Sequence, residues 1–506
     1  MQAHNNEVAE IAAKVRSFHD RKEAFRIFHG STNSTRSVLL RKGNVVDISR
    51  LSHVLHIDPQ ARTALVEPNV PMDRLVETTL KYGLVPPVVM EFPGITVGGG
   101  YAGTSGESSS FKHGFFNRTI NYVNMILGNG DLVKASATER PDLFFGAAGA
   151  VGSLGIVTAV ELQLIEATKY VETTYHPVTS VAEATQKIRQ LATDSKLDYI
   201  DGVLFSLHQG VIITGRMTND ETNNFPIRHF SRPSDPWFYL HAKDIASKTN
   251  PTAELIPLDE YLFRYDRGGF WVGRSAFQYM YTPFNWLTRW WLDDFLRTRT
   301  LYTALHAAGF STPYVVQDLA LPYLTVDDFI EYADKSFGIY PLWLCPLRQD
   351  CLQTFHPHCT EREKDGTLKP MLNVGLWGYG PSKRDAFLKL NHDLEAKLKE
   401  LGGMKWLYAN TYYSESDFWS IYDRKWYEAL RAKYHATSLP TVYQKVYTNV
   451  EAETQAIKES WLLWFRTLWP LSGIWGLYAV IASGQTLLAQ KSTWKSIESK
   501  DSLKLD

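Results

Sequence analysis

Net charge is nearly absent from this 506-residue sequence, in which 53 Lys and Arg face 54 Asp and Glu. A polyanion binder carries a basic surplus or a clustered basic face, so nucleic acid is not an expected partner. Cysteine is scarce: Cys345, Cys351 and Cys359 cannot staple a chain of this length, which points to a reducing compartment. The first thirty residues lack an apolar run, because Glu7, Glu10, Lys14 and Arg16 interrupt them. Neither a secretory leader nor an amino-terminal anchor is expected, and the amino terminus is placed in the cytosol. Internal repeats and low-complexity linkers are missing as well. What is plentiful is aromatic, with 15 Trp, 26 Tyr and 25 Phe, and the length suffices for two or more domains with a large core.

One stretch lacks charge altogether. Thr467 to Gln490, TLWPLSGIWGLYAVIASGQTLLAQ, is bracketed by Arg466 and Lys491. At about 1.5 Å per residue, a helix of that length crosses roughly 30 Å of hydrocarbon. Trp464, Trp469 and Tyr478 add interfacial character, while Pro470, Ser472, Gly473 and Gln485 dilute the hydrophobicity. A membrane-associated helix over 467–490 is expected, with a spanning or tail-anchored form, a hairpin lying in the interface and a soluble packing helix all left open.

From Arg26 to about Ile165 the sequence reads as short strands (VVDISRL, TALVEPNV, YVNMILGNGDLVKAS, GIVTAVELQLIE) around one amphipathic helix, PMDRLVETTLKYG. Asn129-Gly130 between alternating apolar runs is a hairpin signal. A second region opens with YVETTYHPV, the helix SVAEATQKIRQLATD and a hairpin in DYIDGVLFSLHQGVIITGRM. Phe284–Phe310, loaded with Trp286, Trp290 and Trp291, reads as a single helix, buried in the core or else capping a greasy substrate or facing a membrane. YPLWLCPL and MLNVGLWGYG read as strands and SKRDAFLKLNHDLEAKLKELGG as a helix.

The segment ITVGGGYAGTSGESSSFKHG places Gly98, Gly100 and Gly103 in the G-x-G-x-x-G spacing of a dinucleotide site. That fingerprint needs a preceding strand, a helix opening at the glycines and an acid about 20 residues on. Here Pro86, Pro87 and Pro93 interrupt the approach, no apolar periodicity follows, and Tyr122-Val123 stands where the acid belongs. What remains is a long loop of Gly, Ser and Thr between a helix and a hairpin. With RIFHGSTNSTRS and AAGAVGSLGIVTAVEL it makes three small-residue turns, whose exposed backbone N–H groups suit one extended cofactor.

Seven blocks in order, EFPGITVGG, ESSSFKHGFF, DLFFGAAGAVGSLGIVTAVEL, GVLFSLHQGVIITGRMT, VVQDLALP, YPLWLCPL and LYANTYYSESDFW, resemble the delta(24)-sterol reductase family of the PCMH-type (vanillyl-alcohol-oxidase) flavoproteins, over nearly everything from residue 20 to 450. The resemblance implies an α+β fold, with a PCMH-type FAD-binding domain of two α+β subdomains over 1–168 and an α/β cap over 169–450 that returns to the FAD domain. An apolar extension follows over 451–506. It implies Gly30, Ser31, Thr32 and Asn33 on the pyrophosphate and a flavin loop of Thr104, Ser105, Gly106, Glu107, Ser108, Ser109, Ser110, Phe111, Lys112, His113, Gly114, Phe115 and Phe116. Gly152, Gly155, Ile156 and Val157 would flank the adenosine half. FAD is expected to be non-covalent, since His29 is displaced from the usual attachment turn and His113 is a weaker attachment point. Relatives carry their hydrophobic anchor at the amino terminus, which this chain replaces by the carboxy-terminal run, so the protein is expected at a membrane of the endoplasmic reticulum, with its catalytic part facing the cytosol.

The implied activity is FAD-dependent reduction of a carbon-carbon double bond in a sterol or related terpenoid, with electrons from NAD(P)H. An FAD oxidase or dehydrogenase of a lipophilic metabolite is the alternative, and a lipid-binding protein without flavin the rival of another class. Alkene reduction needs a positioned acid as well as a hydride. Candidates are Asp318, Tyr340, Tyr408 and Tyr412, with Lys112 and His113 polarising the ring. The cysteines, with five and seven residues between them, match no zinc pattern, and no metal is expected.

Overall fold

The computed structural model describes residues 1–30, 43–103, 106–221, 224–308, 314–349 and 353–449, scattered positions between 455 and 468, and then 470–484 and 486–487. Strands dominate where β-branched and aromatic residues cluster. The first sheet runs in the order Val54–Asp58, Thr63–Val66, Ile156–Gln163, Ile120–Ile126, Leu132–Ser136, antiparallel throughout. Its hairpin turns at Asn129-Gly130: Gly130 takes φ +86°, and the Leu127 N–H donates to the Asp131 carbonyl at 2.9 Å. Helix Met72–Leu80 starts after Pro71 and buries Leu75, Val76 and Thr79. Helix Gln2–Asp20, which the residue pattern had not announced, buries Val8, Ile11, Val15 and Phe18 at helical spacing. The glycine-rich segment is less of a loop than expected, since Val97–Gly103 is helical and Ser110–His113 forms a further turn.

The second sheet has eight strands in the order Thr252–Pro257, Tyr170–Val178, Gln209–Thr218, Tyr199–Ser206, Leu342–Leu347, Met371–Tyr379, Tyr314–Pro322, Met404–Lys405. Period-two alternation sorts its side chains between two cores. Val315, Leu319 and Leu321 join the core under helices Val181–Leu191, Val326–Phe337 and Arg384–Glu400. Trp343, Cys345 and Trp377 turn the other way, into the core shared with the first sheet. The α+β class is borne out.

Two expectations change. Phe284–Phe310 is not one helix but Trp286–Trp291, a 3-10 turn at Asp293–Phe295, and Thr298–Ala308. The break is held by the buried Asp293 carboxylate, which accepts from Arg267 Nε at 2.7 Å and Arg297 Nη2 at 2.6 Å. Its tryptophans are not core: Trp286, Trp290 and Trp291 are 56%, 47% and 75% exposed. The carboxy-terminal apolar run forms a helix of 12 residues, Leu471–Ala482, bounded by Pro470 and by Gly484 at φ +67°. Among the described residues no helix is long and apolar enough to cross a membrane, so the spanning form, one of the three left open for 467–490, finds no support there. This helix instead packs against the protein. Ser472 bonds the Tyr279 hydroxyl, and a Cβ on Gly476 would stand 3.2 Å from the Ala304 carbonyl.

Candidate active site

The three small-residue turns meet. Gly30 (φ +87°) and Gly152 (φ +69°) both take left-handed backbone. A Cβ on Gly152 would stand 3.7 Å from Ile27 Cδ1, and one on Gly103 would stand 3.2 Å from Val151 Cγ1. The Val151 N–H also donates to the Ala102 carbonyl at 2.8 Å. Ser31, Thr32, Asn33, Thr104 and Ser105 lie outside the described residues. Gly155 backs onto the Ile126 carbonyl, at 2.9 Å from an added Cβ, and Ile156 and Val157 begin the neighbouring strand. Gly98 and Gly100 serve packing: a side chain there would strike Pro68, or Met90 and Phe116.

The loop expected at the flavin is clamped between the two sheets. Gly106 leaves room for Leu347. The Glu107 N–H donates to Ser110 Oγ at 2.8 Å, while the Ser109 carbonyl accepts from the N–H groups of Lys112 and His113 at 3.1 Å. The Ser108 carbonyl accepts from the Ile200 N–H at 2.8 Å. Phe111 leans on the helix-side core, Gly114 turns at φ +75°, and Phe115 and Phe116 are buried. Lys112 Nζ reaches the carbonyls of Ser195 (3.3 Å) and Leu197 (3.2 Å) and Asp198 Oδ1 (2.8 Å). It therefore ties the loop to the second sheet. His113 is half-buried, and desolvation, then the Lys112 charge, lower its pKa.

Behind the loop lies a buried ionic cluster that residue-level reasoning missed. Arg264 Nη2 lies 3.1 Å from Glu91 Oε1 and 3.0 Å from Asp201 Oδ2. The same Asp201 oxygen accepts from Tyr265 (2.6 Å) and Trp343 Nε1 (3.1 Å), and Ser108 Oγ donates to Glu91 at 2.6 Å. Burial pushes the Glu91 carboxyl up to about 7 against the pull of Arg264. Burial, then the neighbouring Glu91 and Asp318 charges, hold Glu107 well above the usual carboxylate range. The sequence signal was a lone charge in an apolar run for Glu91 in PPVVMEFPG and Asp201 in YIDGVLF, while Arg264 in YLFRYDR stands beside two further charges.

Asp318 and Tyr408 are brought together. The Tyr408 hydroxyl donates to Asp318 Oδ2, and Asn373 Nδ2 donates to Oδ1 at 3.1 Å. Asn373 is fixed by Trp406 Nε1 at 3.0 Å. Burial raises Asp318 to about 6, which its two hydrogen bonds only partly oppose. An aromatic cluster adjoins this pair. Phe270 stands 4.7 Å from Trp377, 5.4 Å from Trp343 and 5.5 Å from Phe92, and Phe92 stands 5.9 Å from Tyr302. An added Cβ on Gly375 would touch Trp377 at 2.9 Å, Asp318 Oδ1 at 3.0 Å and Trp343 at 3.1 Å, so this glycine keeps acid and aromatic wall in contact. Tyr340 is not brought here: it joins the helix-side core and donates to Asp334 at 2.9 Å. The Tyr412 N–H donates to Glu395, and its ring lies 5.9 Å from His392 on helix Arg384–Glu400.

Among the described residues no three His, Cys, Asp or Glu side chains converge on a metal geometry. Cys345 is buried beside the Glu107 carbonyl (3.1 Å), Cys359 bonds Gln349, and Cys351 lies outside the described residues. The site fits a dinucleotide on its own terms: Gly103, Val151 and Gly152 meet beside Ile27, and buried Asn117 Oδ1 and His356 Nε2 beside the loop have no hydrogen-bond partner. Such orphaned atoms call for a partner.

Residues 4–136 match the family described as FAD binding domain. The chain is 27% identical over 451 residues to the Delta(24)-sterol reductase of Homo sapiens, covering 88% of this chain and 86% of that protein. It is 29% identical over 432 residues to the Delta(24)-sterol reductase of Pisum sativum, covering 79% and 76%. It is also 27% identical over 164 residues to Cytokinin dehydrogenase 9 of Oryza sativa, covering 32% and 31%. The resemblance read from the seven blocks is borne out.

Proposed function

We propose that this FAD-binding chain is an oxidoreductase that reduces a carbon-carbon double bond in a sterol or related terpenoid, with NADPH as the electron donor. The observation that carries the reading is the buried Asp318–Tyr408 pair at the edge of an aromatic cluster, across from the loop expected at the flavin. Reduced FAD, held without a covalent bond, supplies the hydride. The protein supplies the rest. Phe92, Phe270, Trp343 and Trp377 shed water and present ring faces to a flat apolar substrate. Asp318, in its protonated form, gives the proton to the second alkene carbon; Tyr408 and Asn373 fix its two oxygens. Glu107 and Glu91, both biased towards the neutral form, keep negative charge from building up around that acid. Arg264 and Asp201 hold Glu91 in place.

A substrate of this class resides in bilayers, which supports membrane association, with the endoplasmic reticulum and a cytosolic catalytic face as the proposed setting. A second reading is FAD-dependent oxidation or dehydrogenation of a lipophilic metabolite. The likeness to a dehydrogenase over 164 residues favours it, and ionised Asp318 would serve as its base. Incubating the holoprotein with a panel of Δ24 sterols and NADPH decides between them. The reductase reading expects product heavier by two hydrogens, lost in Asp318→Asn. Substrate-driven flavin bleaching without NADPH, and no hydrogen gain, would overturn it in favour of the second.

A further inference from the structure

Large apolar side chains are exposed in two places that touch each other. The first is the end of helix Val272–Tyr279 with the short helix after it: Met280 is 45% exposed, Tyr281 81%, Trp286 56%, Leu287 60%, Trp290 47% and Trp291 75%. The second is the outer stripe of helix Leu471–Ala482, where Ile474, Leu477, Tyr478 and Ile481 recur at i, i+3, i+4 and i+7 with exposures of 54%, 45%, 59% and 59%. The inner side of that helix, through Ser472, Gly473 and Gly476, rests on Tyr279, Met280 and Ala304. The two stripes therefore adjoin in one ridge, larger than scattered surface residues explain.

Its chemistry selects the occupant. Tyr279–Leu292 carries one charge, Arg289, and no carboxylate, and Leu471–Ala482 carries no charge. A second copy related by a two-fold axis would offer Arg289 no carboxylate from the facing ridge, whereas lipid phosphates would. Trp and Tyr rings, apolar in body and polar at one atom, suit the headgroup level. The ridge is also linked to the aromatic cluster through one helix. Ala304 of helix Thr298–Ala308 meets Gly476, while Tyr302 of the same helix meets Phe92, and burial, then the Asp318 charge, push its hydroxyl pKa up.

We propose that the ridge built from Tyr279–Trp291 and the outer face of Leu471–Ala482 lies flat in the interface of a lipid bilayer, with helix Thr298–Ala308 between the lipid and the aromatic cluster. The inference rests on the lipophilic-substrate reading above and names how such a substrate reaches the site. The test uses the full-length holoprotein and vesicles of phosphatidylcholine with phosphatidylserine, some with brominated acyl chains. The protein is expected to float with the vesicles, with its Trp emission quenched by the brominated chains. Trp290→Glu/Trp291→Glu and, separately, Ile474→Glu/Tyr478→Glu are each expected to lose at least about tenfold in partitioning, with flavin absorbance and melting temperature unchanged. Absence of wild-type flotation, flotation undiminished in both variants, or a light-scattering dimer that both variants split without vesicle binding would each overturn it. Partitioning needs no turnover. Flotation without sterol reduction would therefore sink only the functional reading, and reduction of detergent-dissolved sterol without flotation would sink only this one.

Discussion

Asp318 is a strand residue whose burial decides its chemistry. Its carboxyl, raised from 3.8 to about 6, must be protonated to donate, so turnover is expected to be highest below that value and to fall as pH rises through it. A kcat profile on the holoprotein checks this, and a profile that rises across the same window would sink the acid role. Asp318→Asn is expected to lower kcat by about 10²–10⁴-fold with flavin absorbance intact, and Tyr408→Phe to shift the profile to higher pH, because the hydroxyl would no longer favour the ionised form of the acid. Stability follows the same sign. The Glu91 carboxyl, raised from 4.5 to about 7 by burial, stabilises the fold most fully below the unfolded value, and that contribution fades as pH climbs through the folded one. Arg264→Met leaves Asp201 and Glu91 buried without their cation and should cost about 3–5 kcal/mol in denaturant unfolding. Asp201 illustrates what a sequence withholds. Its charge inside an apolar strand signals that a partner exists, but the partner, Arg264, lies 63 positions away, and nothing local announces it.

Elements were legible where the signal was local. The Asn129-Gly130 turn and the Met72–Leu80 helix follow from residues that touch their own neighbours in sequence. Phe284–Phe310 was misread because apolar content says how greasy a helix is and not which way it faces, and the break at Asp293 depends on Arg267, 26 positions earlier. The glycines of Val97–Gly103 matched a nucleotide spacing while serving packing against Pro68, Met90 and Phe116, a distinction only the tertiary neighbours reveal. At this scale Lys112 is the informative probe. It joins the proposed flavin loop to the segment Ser195–Asp198 through three oxygens. Lys112→Met is expected to weaken FAD retention severalfold in gel filtration while the apoprotein melts within a few degrees of wild type. Unchanged retention would show that the loop holds its shape without that tether.

The whole molecule is stitched across its two sheets, and late segments complete the early one. Tyr427 donates to Ser153 Oγ at 2.8 Å, Arg431 donates to the Ser153 carbonyl at 2.9 Å, and Tyr434 donates to Asp142 at 2.7 Å. A Cβ on Gly128 would stand 2.0 Å from the His435 carbonyl, so the segment after helix Arg424–Lys433 lies directly on the first sheet. Arg348 bonds the Lys112 carbonyl at 3.0 Å from the other side. With so many buried contacts crossing the proposed boundary near residue 168, the FAD-binding part has no complete core of its own. Calorimetry of the holoprotein is therefore expected to show one transition, since neither sheet can melt while the other keeps its partners. Gly128→Leu should lower that single midpoint, because the His435 backbone has to move and overpacking of this kind costs about 1–3 kcal/mol. FAD in excess should raise the midpoint by mass action in wild type and variant alike. Two transitions, of which Gly128→Leu shifts one and FAD the other, would mean that the flavin site stands without the carboxy-terminal return and that the stitching is ornamental.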